Sequence, residues 1–283
     1  MARLILIIVF MFSLVIFNAC TIKEAYLLHA DVDAPVSQLP IHLSDSSQHT
    51  PLTLSVRASV NTIDHVSGNI SKNEANSYTE EYYSGKNFDW NISQFSFATD
   101  ADIRLGQIIA LFGGFDFSTS STTSLWGGNV GLGIFSSTSP LAIRIDLGLK
   151  FQSAKATINY YLSGETIPFD IPFELVTTKS TDDVFTSPFI TFLFYSNSKD
   201  LYIKPFLQFG FASQTLFNID LIEELTSNDL EGAFNIGSVS PGISIDLGSN
   251  QSLILGLRYI YLSSKDVNNK NMLLPFLQVD FKL

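Results

Sequence analysis

Cysteine is almost missing: Cys20 is the only one in 283 residues, which excludes an intramolecular disulfide framework. Basic clusters are missing too. No Lys/Arg run occurs and the formal net charge is −11, so a nucleic-acid interface, which needs cations against phosphates, is excluded. Histidine is scarce. Three of the four, His29, His42 and His49, precede residue 50 at spacings that fit no compact metal-ligand set. No Ser/His/Asp constellation is visible, and Gly131-Leu132-Gly133 lacks the third glycine of a dinucleotide loop. We therefore assign no catalytic residue, no metal ligand and no cofactor.

Long apolar runs are lacking as well, although the mean hydropathy is +0.23. The longest, residues 4–17, follows Arg3. Its apolar part is shorter than the roughly 20 residues a spanning helix needs, and it reads as the core of a secretory signal. Residues 1–19 are accordingly set apart from the fold.

What the chain has instead is alternation. In residues 141–152, Ile143, Ile145, Leu147, Leu149 and Phe151 share one face of a strand. Arg144, Asp146, Gly148, Lys150 and Gln152 share the other, because successive strand side chains point opposite ways. Similar segments occur at 52–61, 88–97, 102–118, 126–135, 141–161, 185–195, 201–217, 234–247, 253–263 and 271–283. These make ten candidate strands, with eight or twelve as the alternative counts. A bulge is expected near Gln94 and a tight turn at Thr99-Asp100-Ala101-Asp102. Residues 167–175 alternate but contain Pro168 and Pro172, which suit an edge, so they read as the returning arm of a hairpin reaching beyond the membrane from 154–161. Residues 219–227 carry a weak helical pattern.

Short turns alternate with long polar connections at 64–86, 119–125, 162–184, 218–233 and 265–270. That asymmetry belongs to transmembrane barrels, whose tight turns face the periplasm. A soluble sandwich also alternates, but three features weigh against it. Several strands exceed the usual five or six residues of soluble ones. Gly106, Gly114, Gly131, Gly133, Gly148, Gly210 and Gly256 lie on the polar face, where a narrow lumen needs room for long side chains. Aromatics gather near strand ends, at Trp90, Trp126, Tyr160, Tyr161, Tyr195, Tyr202, Tyr259 and Tyr261, as in interfacial girdles. The expected fold is all-β: a closed antiparallel transmembrane β-barrel over 51–283, both ends periplasmic.

Two segments carry resemblances. Phe17-Asn18-Ala19-Cys20 resembles a bacterial lipoprotein lipobox, departing from the usual residues at Phe17 and Asn18. The resemblance implies that Cys20 is acylated, with 20–50 a lipidated N-terminus and flexible tether whose anchor lies in the periplasmic leaflet beside the first barrel strand. Leu277, Val279, Phe281 and Leu283 alternate with polar residues and resemble the closing strand of bacterial outer-membrane barrels. That implies residence in the outer-membrane bilayer of a Gram-negative cell and recognition by the barrel assembly machinery.

The inward face carries Arg57, Arg104, Arg144, Asp146, Lys150, Lys204, Asp246, Arg258, Asp280 and Lys282. Confined charges of both signs should pair, since an isolated buried charge costs several kcal/mol. Barrels of about eight strands are filled by side chains and open channels appear near sixteen, so ten strands favour a plugged lumen. An ion-selective, porin-like constriction is the alternative. Omptin-type barrel proteases use acidic pairs and an Asp/His couple. Here Asp100 with Asp102, and Asp64 with His65, have the composition but are expected at opposite ends. Acidic outer loops (Glu74, Glu80, Glu81; Glu165, Asp170, Asp182, Asp183; Asp220, Glu223, Glu224, Asp229, Glu231) fit a structural or surface-interaction role.

Overall fold

Alternation along 141–152 builds one stave of a closed ring. This computed structural model describes residues 20–43, 51–68, 88–119, 123–138, 140–166, 171–198, 201–218, 231–248, 250–264 and 270–283. The strands are β1 (Cys20–Ala34), β2 (Leu52–Val60), β3 (His65–Gly68), β4 (Phe88–Ile92), β5 (Phe95–Arg104), β6 (Ile109–Thr119) and β7 (Ser124–Thr138). They continue with β8 (Leu141–Thr166), β9 (Ile171–Ser196), β10 (Ile203–Asn218), β11 (Glu231–Asp246), β12 (Gln251–Ser263) and β13 (Lys270–Lys282). Ten of them, β2 and β5 to β13, form an antiparallel up-and-down barrel, closed where β13 pairs with β2.

The two faces separate as the pattern requires. On β8, Leu141, Ile143, Leu147 and Leu149 are exposed while Arg144, Asp146 and Lys150 are buried. Exposed apolar side chains continue around the ring with Phe97 and Ile103, Leu111 and Phe115, Leu132 and Ile134, Phe211, Leu257 and Leu277. A continuous apolar belt of this kind is far larger than a soluble monomer presents to water. Hydrocarbon satisfies it, and ring closure gives every barrel strand a hydrogen-bonded neighbour on both sides. The surface is that of a membrane-spanning barrel.

The C-terminal ends of β5, β7, β9 and β11 and the starts of the strands that follow them all lie at one end, together with Leu52 and Leu283, whose backbones bond at 2.9 Å. We call this the turn end and the opposite one the loop end. The reversal expected at 99–102 falls at 105–108 instead. Thr99 to Asp102 are strand, paired with β2 on one side and β6 on the other. Two flanking partners override the local turn preference of aspartate. Residues 88–97 are not one strand: β4 and β5 take different neighbours, and only β5 belongs to the ring. The weak helical segment at 219–227 lies outside the described residues.

β8 and β9 run 26 residues each and pair from Leu141↔Ser196 to Thr166↔Ile171, so the hairpin does extend well past the belt. β7 leaves β8 after Gln152. Beyond that point β1 takes its place, from Asp33↔Lys155 to Cys20↔Thr166. β4 joins β1 in parallel and β3 closes the small sheet.

The N-terminal segment is the main departure from expectation. Residues 20–34 are a strand, and every residue from Ala34 to His42 is buried. Neither part behaves as a flexible tether (44–50 lie outside the described residues). Nor does Cys20 sit beside β2; it pairs with Thr166, at the opposite end of the barrel. The apolar residues of β1 and β4 supply the reason. Ala30, Val32, Phe88, Trp90 and Ile92 form one core with Phe217, Phe234, Ile236, Ile260, Leu262, Met272 and Leu274 from β10 to β13. Burying that surface offsets the entropy of ordering the segment.

Candidate functional site: a threaded lumen

Residues 35–43 run down the inside of the barrel. Ala34 belongs to the loop-end core, and Leu43 lies at the turn end beside Tyr195, Lys204, Asp246 and Lys282. An extended segment without strand neighbours must satisfy its backbone polar groups some other way. Here long side chains from the wall do so. Trp90 Nε1 donates to the Ala34 carbonyl at 2.9 Å and Gln214 Nε2 to that of Pro35 at 2.7 Å. Gln214 Oε1 accepts from the Ser37 amide at 3.0 Å. Lys150 Nζ donates to the Gln38 carbonyl at 2.8 Å. Both Arg57 (3.1 Å) and Arg258 (2.8 Å) donate to that of Leu39. Gln208 serves Pro40 at 2.7 Å and Gln278 serves Ile41 at 2.9 Å. Pro35 and Pro40 bring no N–H of their own, which lowers the number of donors the lumen must accommodate.

The thread's side chains also have places. Leu39 packs with Phe112 and Phe189. A Cβ on Gly210 would collide with Leu39 Cδ1, so the absent side chain there makes room for the thread. Ile41 packs with Leu193, Phe206, Ile254 and Phe276. Gln38 donates to Ser96 Oγ at 2.5 Å and accepts from Ser59 Oγ at 2.8 Å. The His42 ring lies 5.0 Å from that of Phe112, and neither of its buried nitrogens has a hydrogen-bond partner among the described residues.

Charge pairing accounts for the rest of the lumen. Arg144 makes a two-pronged bond to Asp102, both contacts at 2.8 Å, and its Nε donates to Asp146 at 2.6 Å. All three are buried. Arg57 also approaches Asp100 at 3.8 Å, and Asn129 donates to the same carboxylate at 2.8 Å. Lys150 pairs with Asp116 at 3.2 Å. Gly114 and Gly133 leave space that these groups fill: a Cβ there would strike Asp100 and the Arg144–Asp146 pair.

The ten inward charges named from the sequence are thus distributed. Arg57, Arg144, Asp146, Lys150 and Arg258 lie within the lumen proper. Asp280, which accepts from Gln278 at 2.8 Å, and Lys282 are buried towards the turn end. Lys204 and Asp246 pair there at 2.7 Å. Arg104 stands over the Phe135 ring, 4.8 Å from its centroid. Sequence reasoning placed Asp100 and Asp102 in a turn and gave the inward glutamines no role. Their inward phase was readable, yet an amide gives no hint of a backbone partner more than a hundred residues away.

The candidate enzymatic groups do not assemble. Asp64 accepts from Gln94 at 3.4 Å, whereas His65 faces Asp89 at 3.1 Å, so the two neighbours point apart. His29 approaches the other oxygen of Asp89 at 3.7 Å, an association across three strands that spacing could not reveal. Among the described residues no group of three or more His, Cys, Asp or Glu could hold a metal ion. Trp90, Tyr160 and Tyr195 are buried and do not belong to a girdle, while Trp126, Tyr202, Tyr259 and Tyr261 face outward.

No protein-family model matches the chain, and no curated protein matches it. Among solved structures it is similar to Neisserial surface protein A, at 12% identity over 82% of this chain and 97% of that one, with a TM-score of 0.30. It is similar also to the translocator domain of the autotransporter NalP from Neisseria meningitidis, at 9% identity, 83% and 90% coverage and a TM-score of 0.35. A third is LpxR from Salmonella typhimurium, at 8% identity, 82% and 100% coverage and a TM-score of 0.34. At such identities and scores the likeness is to barrel architecture alone.

Proposed function

We propose that the protein is a non-conducting, non-enzymatic barrel of the Gram-negative outer membrane that acts through the structure it holds at its loop end. The observation that carries this reading is the filled lumen. Ala34 to His42 are buried inside the ring, the wall charges Arg57, Arg144, Asp146, Lys150 and Arg258 bond the thread or one another or neighbouring carboxylates, and an apolar core closes the loop-end mouth. A solute would have to displace all three layers.

Several features support the placement. The signal-like residues 1–19 direct the chain out of the cytoplasm, and a closed barrel with an apolar belt suits the outer membrane. The turn end faces the periplasm and the loop end faces outward. The closing strand β13 is what the barrel assembly machinery reads, and Cys20 carries the lipid modification. Of the acidic loop residues, Glu165, Asp182, Asp183 and Glu231 fall in described strands and the others lie outside the described residues.

Planar-bilayer recording tests the reading. The full-length protein is silent, and removing residues 20–43 produces a steady conductance. A steady conductance from the intact protein, altered by Arg144→Ala or Arg104→Ala, refutes it.

A further inference from the structure

The course of the thread fixes which side of the membrane its N-terminal neighbour occupies. β1 lies wholly at the loop end, bonded to β8 above the level where β7 departs. β2 starts at the turn end, where Leu52 meets Leu283. The two are joined only through residues 35–51. Ala34 sits in the loop-end core and Leu43 at the turn end; a chain of that length, extended at about 3.3 Å per residue, reaches roughly 30 Å, the thickness of a bilayer's hydrocarbon core. Its carbonyls are held by donors from β2, β8, β10, β12 and β13, which surround it. Because the ring is closed, there is no route between the two ends outside the lumen except through lipid.

We propose that the barrel carries its own N-terminal segment across the membrane, so that β1 is a cell-surface element and position 20, with any group attached there, stands on the loop-end side. The crossing is independent of acylation, and its outward direction rests on the orientation given above. The surface so presented is polar. Its outer face brings together His29 and Asp31 of β1, Asp89 and Asn91 of β4 and His65 of β3, with Asn91 donating to Asp31 at 2.8 Å. On β8, Gln152 to Thr166 amounts to roughly 45 Å of strand at about 3.3 Å per residue. Position 20, opposite Thr166, therefore stands well clear of the barrel rim.

The test is labelling of single introduced cysteines with a membrane-impermeant maleimide, on intact and on permeabilised cells carrying the full chain. Asp31→Cys reports β1, Thr157→Cys the loop end and Asn250→Cys the turn end; the parent protein with Cys20 sets the background. His29→Cys replaces Asp31→Cys where the latter loses the heat-modifiable gel mobility of a folded barrel. The proposal requires D31C to label as T157C does, with an intact-to-permeabilised ratio near one, while N250C labels only after permeabilisation. D31C behaving like N250C overturns the crossing. N250C labelling on intact cells while D31C and T157C do not overturns the assigned orientation, and with it the surface exposure proposed here, but leaves the crossing standing.

Discussion

Arg258→Met removes one spoke of the thread's attachment while nearly preserving volume. The Arg258 guanidinium bonds the Leu39 carbonyl at 2.8 Å, Ser240 Oγ at 3.0 Å and Gln208 Oε1 at 3.4 Å. A hydrogen bond to a charged group contributes about 1.5–3 kcal/mol. The Leu39 carbonyl keeps its Arg57 donor at 3.1 Å, so it is not orphaned, and the loss stays within that range. The relevant equilibrium is local: the thread leaves its clamp while the ring remains bonded. Amide exchange reports such openings, and 1.4 kcal/mol is a factor of ten. Exchange of a peptide spanning 35–43 should therefore accelerate about ten- to a hundredfold in R258M, measured in lipid nanodiscs by mass spectrometry. Peptides from β6 and β7, separated from β12 in the ring by β13, β2 and β5, should be unchanged. Wild-type exchange in 35–43 as fast as in an unfolded chain, or no change in R258M, refutes the reasoning.

Further outcomes follow from the same contacts. Gly210→Leu places a side chain where Leu39 and Ser238 lie, so it should expel the thread and give bilayer conductance from an otherwise folded barrel. Arg144→Ala removes the cation that bridges the buried carboxylates of Asp102 and Asp146, a loss of about 3–5 kcal/mol, read as a lower temperature for the heat-modifiable gel shift. Trp90→Ala removes a fully buried ring and the donor to the Ala34 carbonyl. At about 3–5 kcal/mol it should expose the loop-end sheet to added protease while the belt-level strands stay protected.

The ring itself was legible because a period of two survives in each strand: a slip of one residue would turn Arg144 and Lys150 into lipid. Strand number and the long β8–β9 hairpin came from the same signal. What escaped notice lacks that period. Residues 35–43 look like linker, with two prolines and a mixed composition, because a buried segment held through side-chain hydrogen bonds needs neither alternation nor β-propensity. Its partners Gln208, Gln214 and Gln278 are neutral and far away in sequence, so nothing local announces them. Asp100 and Asp102 were misplaced for the opposite reason. Their local turn chemistry is strong, and it is the registers Ser55↔Asp100 and Thr53↔Asp102 on one side, with Asp100↔Gly114 and Asp102↔Phe112 on the other, that show the strand running on. The His29–Asp89–His65 association depends on the register of three strands, one of them parallel, and no spacing rule encodes it.

Occupancy of the lumen by the N-terminal segment is the central claim, and a proximity measurement across the wall tests it most directly. Gln38 on the thread accepts from Ser59 on β2, which in turn lies 2.7 Å from Ser96 on β5. A short bis-maleimide applied to outer membranes should join Q38C to S59C as readily as it joins the S59C/S96C wall pair, both in the heat-modifiable folded form. Efficient coupling of the wall pair with none between positions 38 and 59 would contradict the account.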